Sequence, residues 1–297
     1  MRFSNFHRFI GIDWSGAKDP RRGLRVAQCF RGHVVPEIIL NQSSRNWRRK
    51  EILDWLIQLN KGGEKVLAGF DFAFAYPYCD AEAYFPKHNQ TLKDAASLWK
   101  LVDHICRDAR DFYGGPFYLT QDAHFSDYLL YQKYTGGKWK EYPNRMRITD
   151  NHCAEKAGNP SSVFKCVGPE SVGIGSVAGM RLLHDVNSNL TKEFLIWPFQ
   201  RRSNERSVIV EIFPRFFYIL AGANPRKWQN RENVNNALKW FGSEALPLDM
   251  ALATEDQVDA IISAAALRHL AGKPDSWQPA GLTDCARSYE GWIFGVV

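Results

Sequence analysis
The sequence predicts an α/β fold, and two kinds of pattern predict it. Three short, nearly continuous apolar runs read as buried strands: Phe9–Ile12, Val66–Phe72 and Val208–Phe213. A central strand covered on both faces has this character. Between them lie segments with helical spacing, Ile52/Leu53/Leu56/Leu59 and Leu98/Leu101/Val102/Ile105. Each apolar run also ends in or encloses a carboxylate. Burying such a group is costly unless a positive charge meets it.

Strand one covers about Arg8 to Trp14, with Ser15-Gly16 as the turn after it. Leu24 to Phe30 makes strand two. Val34 to Leu40 makes strand three, and Pro36 gives it an edge position. Asn46 is the expected cap of the helix that carries Ile52, and Lys61-Gly62-Gly63 stops it. The fourth strand runs from Val66 to Ala75. From about 76 to 205 the chain is rich in Tyr, Trp, Gly and Pro, with a helix expected over Leu92–Arg110. It reads as an insertion within one domain spanning 1–297. Near Ser176 a glycine-rich loop opens into a short helix, but it is not the dinucleotide-binding G-x-G-x-x-G. A strand at Ser207–Phe213, helices near Phe216–Leu220 and Glu232–Phe241, and an acidic helix from Thr254 complete the chain. Thr254 and Gln257 make a T-x-x-Q capping pattern.

Of 297 residues, 45% are hydrophobic, enough to bury a full core. No run of about 18 apolar residues exists, so no membrane partner is expected. Met1–Arg8 lacks the apolar region of a signal peptide. Six scattered cysteines without a C-x-x-C lead to an expectation of reduced thiols and a cytoplasmic location. His152-Cys153 with Cys166 fits no standard zinc spacing. The net charge of +6 is concentrated in clusters: Lys18/Arg21/Arg22/Arg25, Arg45/Arg48/Arg49/Lys50, Lys138/Lys140/Arg145/Arg147 and Arg201/Arg202/Arg206. Cations beside Trp47 and Trp139 suit a nucleic-acid partner. Arg48, Arg49, Lys50, Lys138, Arg145 and Arg147 are the candidate phosphate contacts.

Asp13, Asp71, Glu211 and Asp259 are the candidate catalytic carboxylates. Strands of a mostly parallel sheet bring their C-terminal ends to one edge, where sites form. Asp13 also suits a plain turn in Asp-x-Ser-Gly, and Glu211 also suits an ion pair with Arg206 or Arg215. In the last helix, Glu255 and Asp256 fit the positive end of the dipole. Asp259 lies beyond the first turn on a small, apolar face, where a carboxylate needs a partner. Asp13, Asp71 and Asp259, with Asp256 as a further ligand, would hold a metal. Hard oxygen donors favour Mg²⁺ or Mn²⁺, and two such ions suit phosphodiester cleavage.

Five motifs recur in order: Gly11-Ile12-Asp13-Trp14-Ser15-Gly16, Gly69-Phe70-Asp71-Phe72, Val210-Glu211-Ile212-Phe213-Pro214, Asp259-Ala260-Ile261-Ile262-Ser263-Ala264 and Glu290-Gly291-Trp292-Ile293. They resemble the domain-of-unknown-function family 429, described as predicted nucleases with an RNase H-like fold. The resemblance implies a five-stranded mixed sheet flanked by helices, with the large insertion between strands four and five. Asp256-x-x-Asp259-Ala further resembles the acidic helix of RuvC-type junction resolvases. Phe72-Ala73-Phe74 and Arg215 depart from the family pattern. The expectation is a Mg²⁺- or Mn²⁺-dependent nuclease. Two alternatives stand beside it. One is an ATP-binding phosphotransferase of the actin-like superfamily, using the Asp13–Gly16 turn. The other is a non-catalytic nucleic-acid-binding module.

Overall fold
The computed structural model describes residues 5–19, 23–31, 36–41, 46–88, 91–119, 125–131, 134–156, 158–167, 171–201 and 206–297. Its centre is a mixed sheet. The strands are β1 (Arg8–Asp13), β2 (Arg25–Phe30), β3 (Glu37–Ile38), β4 (Val66–Phe70), β7 (Phe194–Ile196) and β8 (Ser207–Glu211). A separate hairpin pairs β5 (Leu130–Tyr131) with β6 (Tyr134–Thr135). The helices are α1 (Arg49–Lys61), α2 (Ala95–Cys106), α3 (Gly115–Leu119), α4 (Gly137–Glu141), α5 (Ile148–Glu155), α6 (Gly173–Asn189), α7 (Pro214–Leu220), α8 (Arg231–Trp240), α9 (Glu255–Leu270) and α10 (Pro274–Trp277).

The strand order is β3-β2-β1-β4-β8-β7. The first three strands are antiparallel neighbours, whereas β4, β8 and β7 run parallel to β1. The sheet thus has six strands rather than the expected five. The sixth, β7, is a three-residue edge strand within the 76–205 region, so that region supplies part of the sheet. Such a short strand leaves no period to read. The described part of strand three is Glu37–Ile38; Val34 and Val35 lie outside the described residues. Arg48, not Asn46, caps α1, and its backbone N–H donates to Glu51 Oε2 at 2.8 Å. The helix at Ser176 begins at Gly173 and has 17 residues, longer than expected.

Strand alternation divides the core into two layers. Ile10, Ile12, Val66, Ala68, Phe70 and Ile209 face α1, α2 and α6. Phe9, Leu67, Val208 and Val210 face α7, α8 and α9. The same alternation puts Gly11 and Asp13 on the α9 face, and Glu211 on the opposite face with Ile209.

Gly11 explains how closely α9 lies on the sheet. A Cβ there would stand 2.4 Å from the Ala260 carbonyl oxygen and 2.7 Å from the Ala264 nitrogen. The Ala-rich stretch of α9 and the glycine of β1 are complementary: small residues on both sides let backbone meet backbone. Gly11→Ala should therefore destabilise the protein by about 1–3 kcal/mol through overpacking. Urea denaturation tests this; an unchanged midpoint would mean α9 can retreat without cost.

A disulfide joins Cys79 to Cys285, 206 residues apart, with a Cα–Cα distance of 6.0 Å. This overturns the expectation that the thiols are all reduced. Cys29, Cys106, Cys153 and Cys166 are buried free thiols. The bridge ties the chain after β4 to the C-terminal segment. Among the described residues, no helix is long and apolar enough to cross a membrane.

Candidate active site
Asp13 and Asp71 are neighbours because of strand register. In the parallel β1–β4 pair, Ile12 stands opposite Phe70, and the Asp71 N–H donates to the Ile12 carbonyl at 3.0 Å. The next residue on each chain is the carboxylate. Adjacent strands lie about 4.8 Å apart, so the two side chains leave the sheet edge together.

Asp259 and Asp256 come to the same place on α9. Thr254 caps this helix, its hydroxyl accepting the Gln257 N–H at 3.2 Å. Gln257 returns a bond from its side chain, accepting the Ala253 N–H at 3.1 Å. The close fit at Gly11 fixes α9 along β1, which sets Asp259 over the strand ends.

The four carboxyls influence one another. Burial holds the Asp13 carboxyl well above the usual range, and Asp71, Asp259 and Asp256 push it further; Arg25, its partner across β2, opposes them. Asp71 is pushed up to about 7 by burial, then by Glu211 and Asp256. Asp259 is held well above its ordinary value by burial, then by Asp71, Glu255 and Asp256. Burial also raises Asp256, with Arg25 opposing. The fully buried Tyr218 hydroxyl faces Asp259 and opposes its rise. It has no hydrogen bond of good geometry. Tyr218 was not legible in the sequence, since it is one more aromatic residue in the apolar stretch of α7.

Among the described residues, no three His, Cys, Asp or Glu side chains stand in a ready-made coordination geometry. The donor type, carboxylate oxygen, is the one a hard divalent cation takes; Arg25 is the cation acting on Asp13 and Asp256.

Asp71 and Asp259 open into a cleft of about 530 Å³. The turn Trp14–Ala17 forms one side. Asn159, Ser161, Ser171 and the first turn of α6 form another, and Phe213, Pro214 and Arg215 at the start of α7 a third. The turn after β1 is tightly packed. A Cβ on Gly16 would stand 2.3 Å from the Ile174 carbonyl oxygen. Arg49, fully buried, donates to the carbonyl oxygens of Ser15 at 2.7 Å and of Asp111 at 2.9 Å, and also to that of Ala17. The loop that an ATP-phosphate reading needs is therefore clamped from two sides.

Glu211 raises the Asp71 carboxyl and lines a small cavity with it, but it is itself engaged by a cation. Arg147 grips it through both terminal nitrogens, Nη1 to Oε2 at 2.7 Å and Nη2 to Oε1 at 2.6 Å. The Phe74 N–H donates to Oε2 at 3.0 Å. Arg147 also holds Asp150, Nη2 to Oδ1 at 2.7 Å. All three residues are buried. The arginine partner is thus Arg147, neither Arg206 nor Arg215, so the ion-pair alternative for Glu211 is present with a different arginine. Glu290 extends this network: it is fully buried and accepts the N–H groups of Tyr78, Cys79 and Ile148 at 2.7, 2.8 and 2.7 Å.

The candidate phosphate contacts divide accordingly. Arg49 and Arg147 are buried and fully used inside the fold. Arg145 is buried too. It pairs with Asp80, Nε to Oδ2 at 2.8 Å, and donates to the carbonyls of Pro77, Ala83 and Tyr84. These three are withdrawn as substrate contacts. Arg48 and Lys50 are exposed, and Lys138 pairs with Glu141 at 2.9 Å. Arg21, Arg22, Arg45 and Arg202 of the basic clusters lie outside the described residues.

Comparison with family models, with curated proteins and with solved structures found no match to this chain. The likeness to family 429 therefore rests on the five sequence motifs alone.

Proposed function
We propose that this protein is an RNase H-like, divalent-metal-dependent phosphodiesterase that acts on nucleic acid. One observation carries the reading. Asp13 and Asp71 leave adjacent parallel strands at the sheet edge, beneath α9 with Asp256 and Asp259, and each is pushed above its ordinary pKa chiefly by burial. Half-buried acids that raise one another's pKa repel as anions, and a bound divalent cation would relieve that repulsion. The strand order supports the fold assignment, with three antiparallel strands followed by parallel ones.

Asp13, Asp71 and Asp259 would hold Mg²⁺ or Mn²⁺, with Asp256 as a further ligand. Two such ions supply charge for both the attacking and leaving oxygens of an in-line displacement. The protein's own contribution is orientation. Strand register fixes Asp13 and Asp71, the Gly11 contact fixes α9, and the Tyr218 hydroxyl faces Asp259. Arg215 lines the cleft. Exposed Arg48 and Lys50 would add longer-range attraction for a polyanion.

Titration with Mn²⁺ in a calorimeter and in a thermal melt tests the metal. At a concentration of about 100 times Kd, bound ion should add about 2.7 kcal/mol of stability. No heat and no shift in Tm would leave a non-catalytic module as the better reading.

A further inference from the structure
We infer that the site acts on an unpaired nucleic-acid strand and that a duplex cannot seat there until it is locally opened; this rests on the phosphodiesterase reading. The reason is the wall that the insertion builds beside the carboxylates. A bare sheet edge would be open to a wide substrate. Here Asn159, Ser161 and the first turn of α6 line the same cleft as Asp71, Asp259, Phe213 and Arg215, and its volume is about 530 Å³. Pockets of about 300–1,000 Å³ take a molecule of drug size. That suits a nucleotide or two. A duplex is far broader, since its major groove alone is about 12 Å wide.

The wall is anchored at three points. Gly16 lies directly on the Ile174 carbonyl, where a Cβ would come within 2.3 Å. The Trp14 indole N–H donates to the Gly175 carbonyl at 3.1 Å. The Ala73 N–H donates to the buried Ser176 hydroxyl oxygen at 3.0 Å. All three tie α6 to segments that directly follow β1 and β4, the strands that carry Asp13 and Asp71. Widening the cleft would therefore disturb the carboxylates themselves. The lining also suits a splayed nucleotide: half-buried Phe213 and Ile174 offer apolar surface to a base, and the Ser161 hydroxyl offers a donor to phosphate.

The test uses the full chain with Mn²⁺ and three substrates: a single-stranded oligonucleotide, the same strand in a blunt duplex, and bis(p-nitrophenyl) phosphate. DNA and RNA versions are both run. Because a duplex must first be unstacked and unpaired, the single strand should be cut about 100-fold faster than internal sites of the duplex. Internal duplex cleavage at a comparable rate overturns this inference and leaves the phosphodiesterase reading standing. Hydrolysis of the small diester alone overturns it in favour of a small phosphorylated substrate. Turnover of none of the three overturns the reading itself, and the inference with it.

Discussion
Asp71→Asn should abolish Mn²⁺-dependent hydrolysis while making the metal-free protein more stable at neutral pH. The two effects have one cause. In the metal-free protein Asp71 stands among Glu211, Asp256, Asp13 and Asp259, and its pKa lies at about 7 against an ordinary 3.8. The folded state therefore binds more protons than the unfolded chain between about pH 4 and pH 7. Stability is lost as pH rises through that window. Asparagine has the same shape and no charge. Its advantage should be absent below pH 4, grow through the window and be complete above pH 7. Water in the cleft screens part of the repulsion, so the gain should be about 1–3 kcal/mol. With Mn²⁺ the sign reverses, because the variant has lost a ligand. Removing several kcal/mol of transition-state stabilisation should cost about a thousandfold or more in rate. Urea denaturation in EDTA at pH 4.5 and 8, with hydrolysis assays beside it, separates the cases. Equal destabilisation at both pH values would mean that Asp71 serves the fold rather than a metal.

The sequence carried the sheet and the acidic edge for physical reasons. A strand buried on both faces must be apolar along its whole length, so β1, β4 and β8 stood out, and a carboxylate at the end of such a run is conspicuous. The Thr254 cap is local chemistry and was readable as such. What stayed hidden depends on long-range contact. β7 has three residues, too few for a period. The Cys79–Cys285 bridge spans 206 residues and leaves no spacing signature. The basic clusters misled for a related reason. Runs of Arg and Lys commonly face water, yet Arg49, Arg145 and Arg147 point inward, and their donors meet carbonyls and carboxylates brought from 32 or more residues away, Asp150 excepted. The face that Glu211 takes was legible in the sequence. Glu211 lies two residues after Ile209, on the sheet face opposite Gly11 and Asp13, although it still stands near enough to Asp71 to raise that carboxyl.

Arg147 should be the most sensitive charged position in the molecule. Arg147→Met removes the cation that meets both Glu211 and Asp150, which are 2% and 1% exposed. Breaking a buried pair from one side strands a charge that water cannot reach, at a cost of about 3–5 kcal/mol. Burial already raises the Glu211 pKa, and Arg147 is what holds it down. Without Arg147 that pKa should climb further. The folded variant then binds more protons than its unfolded chain, so its deficit should shrink toward acid pH and be full at pH 8. Arg147→Lys should recover only part of the loss, because an ammonium cannot repeat the two-pronged contact. Arg147→Met with Glu211→Gln should recover more, because the double change removes one of the two stranded charges. This cycle also decides what Glu211 is for. As a structural partner of Arg147, Glu211→Gln should leave Mn²⁺ affinity within about threefold of wild type, less than the tenfold loss that even an outer-shell partner commonly costs. A large loss of Mn²⁺ affinity in a folded Glu211→Gln protein would restore Glu211 to the metal site and make Arg147 its counter-ion there. Denaturation at pH 5 and 8, with calorimetry of the same variants, reads both answers.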